Sequence, residues 1–187
     1  MIASTSAEAL DQLYLQALHD NCPDEQGAAS RVTVLGDKLP VIDRQELILL
    51  NISSYHFRLV NWLYFDDSAA LRSSLARLLR SPVPLSGSAL ADAHGEMANM
   101  ICGSVNRGLC NAFHHVGMST PLALERQCLA HFDMLKPALK RSYQVSFSDD
   151  ARFWLTSSLH LTPGASFEFH YQRPTVPADS VGELELF

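Results

Sequence analysis

Residues 81–88, SPVPLSGS, place two prolines and a glycine between two runs of helically spaced apolar residues. No helix runs through such a stretch, so the chain divides there. Ahead of the break, 6–20 reads as a helix capped by Ser6, with Leu10, Leu13, Tyr14, Ala17 and Leu18 on one face. A loop, NCPDEQGAAS, leads to the short strand RVTVLG. ELILLNISS and HFRLVNWLYF then form a hairpin around 53–55. A second helix starts at Asp66, Asp67 or Ser68 and gathers Leu71, Leu75, Leu78 and Leu79 on one side. Beyond the break, a long helix opened by Ser88 runs to about His114. In 119–140, Pro121 suggests a strand start and Pro137 rules out one continuous helix. RSYQVSFS and ARFWLTSSLHL alternate as strands around an Asp149-Asp150 turn, SFEFHY is a further strand, and the last residues form a loose tail. Helix followed by strands thus occurs twice, which hints at an internal duplication without residue-level self-similarity. The expected organisation is one domain over 1–172, with halves at about 6–80 and 88–172, and a tail over 173–187.

Composition fits a single packed body. Hydrophobic residues make up 47% of the 187 and charged residues 18%, enough apolar material for a core and too little charge for a disordered chain. The net charge of −6, with Lys and Arg scattered, argues against nucleic acid or an anionic membrane as the main partner. It suits a protein partner that presents a positive feature. The N-terminus has neither the basic region nor the apolar run of a signal peptide, and no stretch of about 18 apolar residues occurs, so a cytoplasmic protein is expected. Cys22, Cys102, Cys110 and Cys128 form no C-x-x-C pair and are expected to be buried thiols. The eight histidines include no H-x-x-x-H, and the adjacent His114 and His115 point to different faces of a helix, so no metal site is expected.

The segment 92–106, DAHGEMANMICGSVN, is the unusual one. At 3.6 residues per turn, Asp92, Glu96, Asn99, Gly103 and Asn106 fall within an arc of about 80°. Leu90, Met97, Ala98, Ile101, Val105, Leu109 and Ala112 occupy the opposite side, with His94 among them as a packing residue. The helix therefore has a core face and a narrow polar stripe. A solvated face would explain Glu96 and Asn99 by themselves. A glycine inside a helix costs about 1 kcal/mol relative to alanine. Gly103 therefore serves either close packing within the fold or close approach by another protein.

The pattern D-A-x-G-E-M-x-N-M-I-x-G, from Asp92 to Gly103, resembles the signature of the CheC/CheX/FliY family of chemotaxis phosphatases. The resemblance extends loosely over about residues 6–162 and is specific only in the 92–106 helix. It implies an α/β (α+β) fold: a CheC-like layered structure in which a largely antiparallel sheet is packed with helices and carries a pseudo-twofold internal duplication. It implies a phosphatase acting on the phosphoaspartate of a CheY-like response regulator. Asn99 would position the attacking water, Glu96 would pair with the receiver's lysine, and Asp92, Gly103 and Asn106 would contact the partner. The chain would need no cofactor of its own, because the response regulator supplies Mg²⁺. CheC-type members carry a Glu-x-x-Asn in each half, whereas the first helix here has Glu8 and Asp11. A single intact site is the CheX-like pattern, which implies a homodimer with one site per subunit.

An acid and an amide suit this chemistry. Phosphoryl transfer needs positioning and electrostatics more than a strong nucleophile. A neutral carboxamide can accept a hydrogen bond from a water while its NH₂ donates to a nearby oxygen. An aspartate would instead bring negative charge towards the phosphoryl group. For Glu96 an ion pair, which fixes register, is a better fit than general-base chemistry. A non-catalytic module that binds a response regulator is the alternative reading. An unrelated hydrolase finds no support, since the chain has no G-x-S-x-G and no phosphate-binding glycine-rich loop.

Overall fold

The computed structural model describes residues 2–24, 30–38, 46–148 and 150–171. Helix α1 spans Ser4–Asn21 and buries Leu10, Leu13, Tyr14, Ala17 and Leu18, the face the spacing predicts. It starts earlier than expected. Ala3 is the N-cap, and Ser6 is buried in the first turn, where its Oγ accepts the Phe169 backbone N–H at 3.1 Å. Strand β1 (Arg31–Gly36) follows, then the antiparallel pair β2 (Glu46–Ser53) and β3 (Phe57–Phe65). Ser68 caps α2 (Ala69–Leu78) by accepting the Leu71 N–H, as such a residue should.

Helix α3 covers Gly87–Cys110, with Ser86 as N-cap. It is shorter than predicted. Residues 111–115 form turns, and His115 takes a left-handed backbone conformation with φ of 55°, which ends any helical continuation. Short strands β4 (Gly117–Met118) and β5 (Leu122–Glu125) both pair with β2. The stretch 126–135 winds through short helical turns, and β6 (Leu139–Ser148) and β7 (Ala151–Leu161) close the structure as an antiparallel pair.

The strands form one antiparallel sheet in the order β1-β6-β7-β3-β2-β4, with β5 beside β4 on β2. This is an α+β fold. The order has its own symmetry. The two hairpins meet at β3 and β7, and each half lends its first strand or strands to the hairpin of the other. The β3–β7 pairing is centred on Asn61 and Ser157. There the Tyr14 hydroxyl donates to Asn61 Oδ1 at 2.6 Å and shares a hydrogen bond with Ser157 Oγ at 2.7 Å. Burial pushes the Tyr14 hydroxyl far above the usual phenol range. It stays protonated and gives this buried polar cluster its donor.

The helices cover one sheet face. Ile48, Leu50, Ile52, Leu59, Leu63, Val145, Phe153, Leu155 and Leu159 meet them in the main core. On the other face Leu47, Leu49, Val60, Trp62 and Tyr64 form a smaller cluster with Leu124, Leu129 and Trp154.

The expected strand SFEFHY is not a strand. Only a single parallel bridge, Ile2 to Phe167, forms there. Both neighbours of β7 are already taken, and the alternation of Phe167 and Phe169 instead drives two rings into the core beside Phe57 and Phe113. The tail expected beyond that point lies outside the described residues. The cysteines also divide. Cys22 and Cys102 are buried, and burial pushes the Cys102 thiol up to about 12, but Cys110 is exposed and Cys128 half-buried. Cys110 ends α3 on the line of its polar stripe, which is why packing does not reach it.

Candidate functional site

Helix α3 is held by its apolar face. Ala93, Met97, Ala98, Ile101, Cys102, Val105 and Leu109 are all buried. His94 is half-buried and stacks on Phe65, with ring centroids 4.1 Å apart and planes 7° from parallel, so its packing role stands. Against α1 the contact is tightest at Gly108, where a Cβ would come within 2.4 Å of Leu13 Cδ1. Gly108 is thus the glycine that close helix packing requires. At Gly103 a Cβ would meet only Arg107 Nη1, at 3.7 Å, and packing within the fold does not explain that residue.

The stripe lies on the outward side. Asp92 and Glu96 are exposed, and Asn99, Gly103 and Asn106 are half-buried. Among the described residues, no side chain is hydrogen-bonded to Glu96 or Asn99, and the Asn106 Oδ1 is buried with no hydrogen-bond partner. The stripe therefore presents an acid and amides whose hydrogen-bonding capacity the fold leaves unused. A cleft of about 260 Å³ at the start of α3, lined by Glu46, Asp67, Arg72, Ser86 and His94, shares no residue with it.

A third element borders the stripe. The Pro121 Cβ would lie 3.8 Å from a Cβ placed on Gly95, one residue before Glu96. Segment 117–121 is pinned to β2 from both directions. The Ser119 N–H donates to the Asn51 carbonyl at 2.9 Å, and the Asn51 N–H donates to Ser119 Oγ at 3.0 Å. Nothing in the sequence marks this neighbour of α3, because it depends on where the chain turns after Cys110.

The first half carries the same helix face with a different outcome. Place Glu8 on Glu96 and Asp11 on Asn99. Then Ala9, Leu10, Leu13, Tyr14 and Ala17 fall on Met97, Ala98, Ile101, Cys102 and Val105, and all ten are buried. Glu8 is exposed, like Glu96. Asp11 is engaged: Arg141 Nε donates to its Oδ2 at 3.0 Å, and the Tyr143 hydroxyl donates to its Oδ1 at 2.6 Å. Burial and the neighbouring Asp11 carboxylate hold Tyr143 protonated as the donor, well above the usual phenol range. Tyr143 also stacks on Tyr14 at 5.5 Å. Sequence reading does not find this triad, because Arg141 lies 130 positions from Asp11.

No family model matches the chain, and no curated protein matches it in sequence. Several solved structures are similar. The chemotaxis protein CheX from Vibrio vulnificus is 16% identical, with 81% of this chain and 99% of that one covered and a TM-score of 0.58. A CheX-CheY-BeF3-Mg²⁺ complex from Borrelia burgdorferi gives a TM-score of 0.61 at 12% identity, covering 82% and 97% of the respective chains. A CheC-like superfamily protein from Shewanella sp. PV-4 gives 0.55 at 12% identity, covering 85% and 99%. At such identities the likeness is one of fold.

Proposed function

We propose that this chain, which has the fold of the CheX and CheC-like chemotaxis proteins, is a phosphatase of a phosphorylated CheY-like response regulator. The observation that carries the reading is the contrast on the two equivalent helix faces. Asp11 is consumed by Arg141 and Tyr143, while Glu96 and Asn99 stand open on α3. The neighbouring Borrelia complex contains CheX, CheY, BeF3 and Mg²⁺, and BeF3 is a stand-in for a phosphoryl group. A receiver domain bound here would bring its own Mg²⁺ and phosphoaspartate to the stripe.

Each residue then has a task. The Asn99 carboxamide oxygen accepts a hydrogen bond from a water in line with the acyl-phosphate bond, and its NH₂ donates to a phosphoryl or nearby oxygen. Rigid placement of that water is worth on the order of 10²-fold in rate. Glu96, one turn away, pairs with the receiver's lysine and sets the register of the complex. Asp92 and Asn106 extend the contact, and Gly103 allows close approach. The protein acts in the cytoplasm as a homodimer, one site per subunit, with no cofactor of its own.

Phosphate loss from a receiver domain of the same organism tests this. Wild type should accelerate the decay, and Asn99→Ala should remove the acceleration while still binding a BeF3-activated receiver. Binding without acceleration by wild type would replace the phosphatase with a non-catalytic binding module. No binding to any receiver would overturn the reading altogether.

A further inference from the structure

The polar stripe has an apolar neighbour. Met118 lies in β4 directly opposite Ile52, and Ile52 belongs to the core beneath the helices. Residues facing one another across an antiparallel pair share a sheet face, so the Met118 side chain stands on the helix-bearing face. It is nevertheless 38% exposed. Leu122, 53% exposed, is opposite Leu49 and belongs to the other face.

Chain geometry fixes where Met118 sits along α3. After Cys110 the chain turns back, and Pro121 comes beside Gly95. Met118 lies three residues earlier in a nearly extended segment, about 10 Å back towards the C-terminal end of α3. On a helix rising 1.5 Å per residue, 10 Å is about seven residues. That brings Met118 level with Cys102, between Asn99 and Asn106. Helix α3 also packs against β4. The Ser119–Asn51 hydrogen bonds hold the segment there.

We infer that Met118 is the apolar docking residue of the same site: it receives an apolar side chain that the receiver presents beside its phosphorylated aspartate. This rests on the response-regulator reading above and gives it a source of affinity. Two acids and two amides fix orientation and register, yet polar contacts on a surface where water competes give specificity more than affinity. Methionine is suited to the other task. Its flexible, polarizable side chain adapts to an apolar surface, and methionine is enriched at interface centres. Met118 touches the partner's surface and takes no part in the chemistry.

The test combines binding of BeF3-activated receiver with steady-state dephosphorylation of the phosphorylated receiver. Met118→Asp should weaken binding and raise KM by about 10-fold or more, with kcat within about twofold of wild type. Met118→Leu should restore both. Leu122→Ser, at a more exposed site on the opposite face, should change neither. Thermal melting of Met118→Asp and the milder Met118→Ala checks that the fold is intact. If wild type binds the receiver and Met118→Asp binds as well, or if Leu122→Ser weakens binding as much, the inference falls and the phosphatase reading stands. If wild type binds no receiver, both fall.

Discussion

Helices α1 and α3 bury the same face in the same register and use the opposite one differently. The difference begins in the strands beneath them. Strand β2, under α3, offers Ile48, Leu50 and Ile52 to the helix layer. Strand β6, under α1, offers Arg141 and Tyr143 at the corresponding level. A carboxylate over β6 finds a guanidinium and a phenol. The amide of Asn99, on the helix over β2, has no hydrogen-bond partner among the described residues. One residue type at one helix position and two on a strand thus decide whether a helix face is closed by the chain or left for a partner.

Making α3 resemble α1 should give the largest effect. Asn99→Asp is expected to reduce acceleration of receiver dephosphorylation by about 100-fold, since the water loses its placement and a negative charge faces the phosphoryl group. Circular dichroism and melting should change little, because the site is half-exposed and the new carboxylate remains in water. Near-wild-type rates from that variant would break the comparison outright. The converse change acts on stability. Asp11→Ala removes both hydrogen bonds and leaves Arg141 without its carboxylate, at a cost of about 2 kcal/mol and a lower midpoint in urea. Asp11→Asn keeps an acceptor for Tyr143 and loses only the charge, so it should cost about half as much. Neither should alter the dephosphorylation rate per folded molecule. A loss of rate in both variants at full folding would show that α1 is part of the active surface.

Most of the fold is legible in the sequence, because local patterns encode it. The two hairpins, the Ser68 cap, the strand start after Pro121 and the two-sided character of 92–106 all follow from spacing and punctuation within a short window. SFEFHY misleads because alternation signals two faces, not pairing. Its two phenylalanines alternate in order to enter the core beside Phe113, and both sides of β7, the strand they follow, are already paired. Ser6 misleads in a similar way. Its hydroxyl would suit a cap, and the chain uses it to hold Phe169. The stripe itself can be read from one helix. Arg141, Tyr143 and Met118 cannot be placed beside the helices from sequence, since they reach them only through the crossed strand order of the sheet.

The smallest expected effect discriminates most finely, because its two consequences have opposite signs. Gly103 sits in the middle of the stripe, and a Cβ there would make only an ordinary contact with Arg107 Nη1 at 3.7 Å, so Gly103→Ala meets no clash within the chain. Removing a mid-helix glycine should stabilise the protein by up to about 1 kcal/mol, a rise of about 2–4 °C in Tm for a domain of this size. The equivalent position in α1, Leu15, already carries a side chain that packs on the core, so the bare surface is peculiar to the open helix. If the glycine is kept for close approach by the receiver, the added methyl crowds that contact by about 1–2 kcal/mol, and affinity for BeF3-activated receiver falls about tenfold. A protein that melts higher and binds more weakly ties Gly103 to the partner. One that melts higher and binds unchanged leaves Gly103 outside the contact.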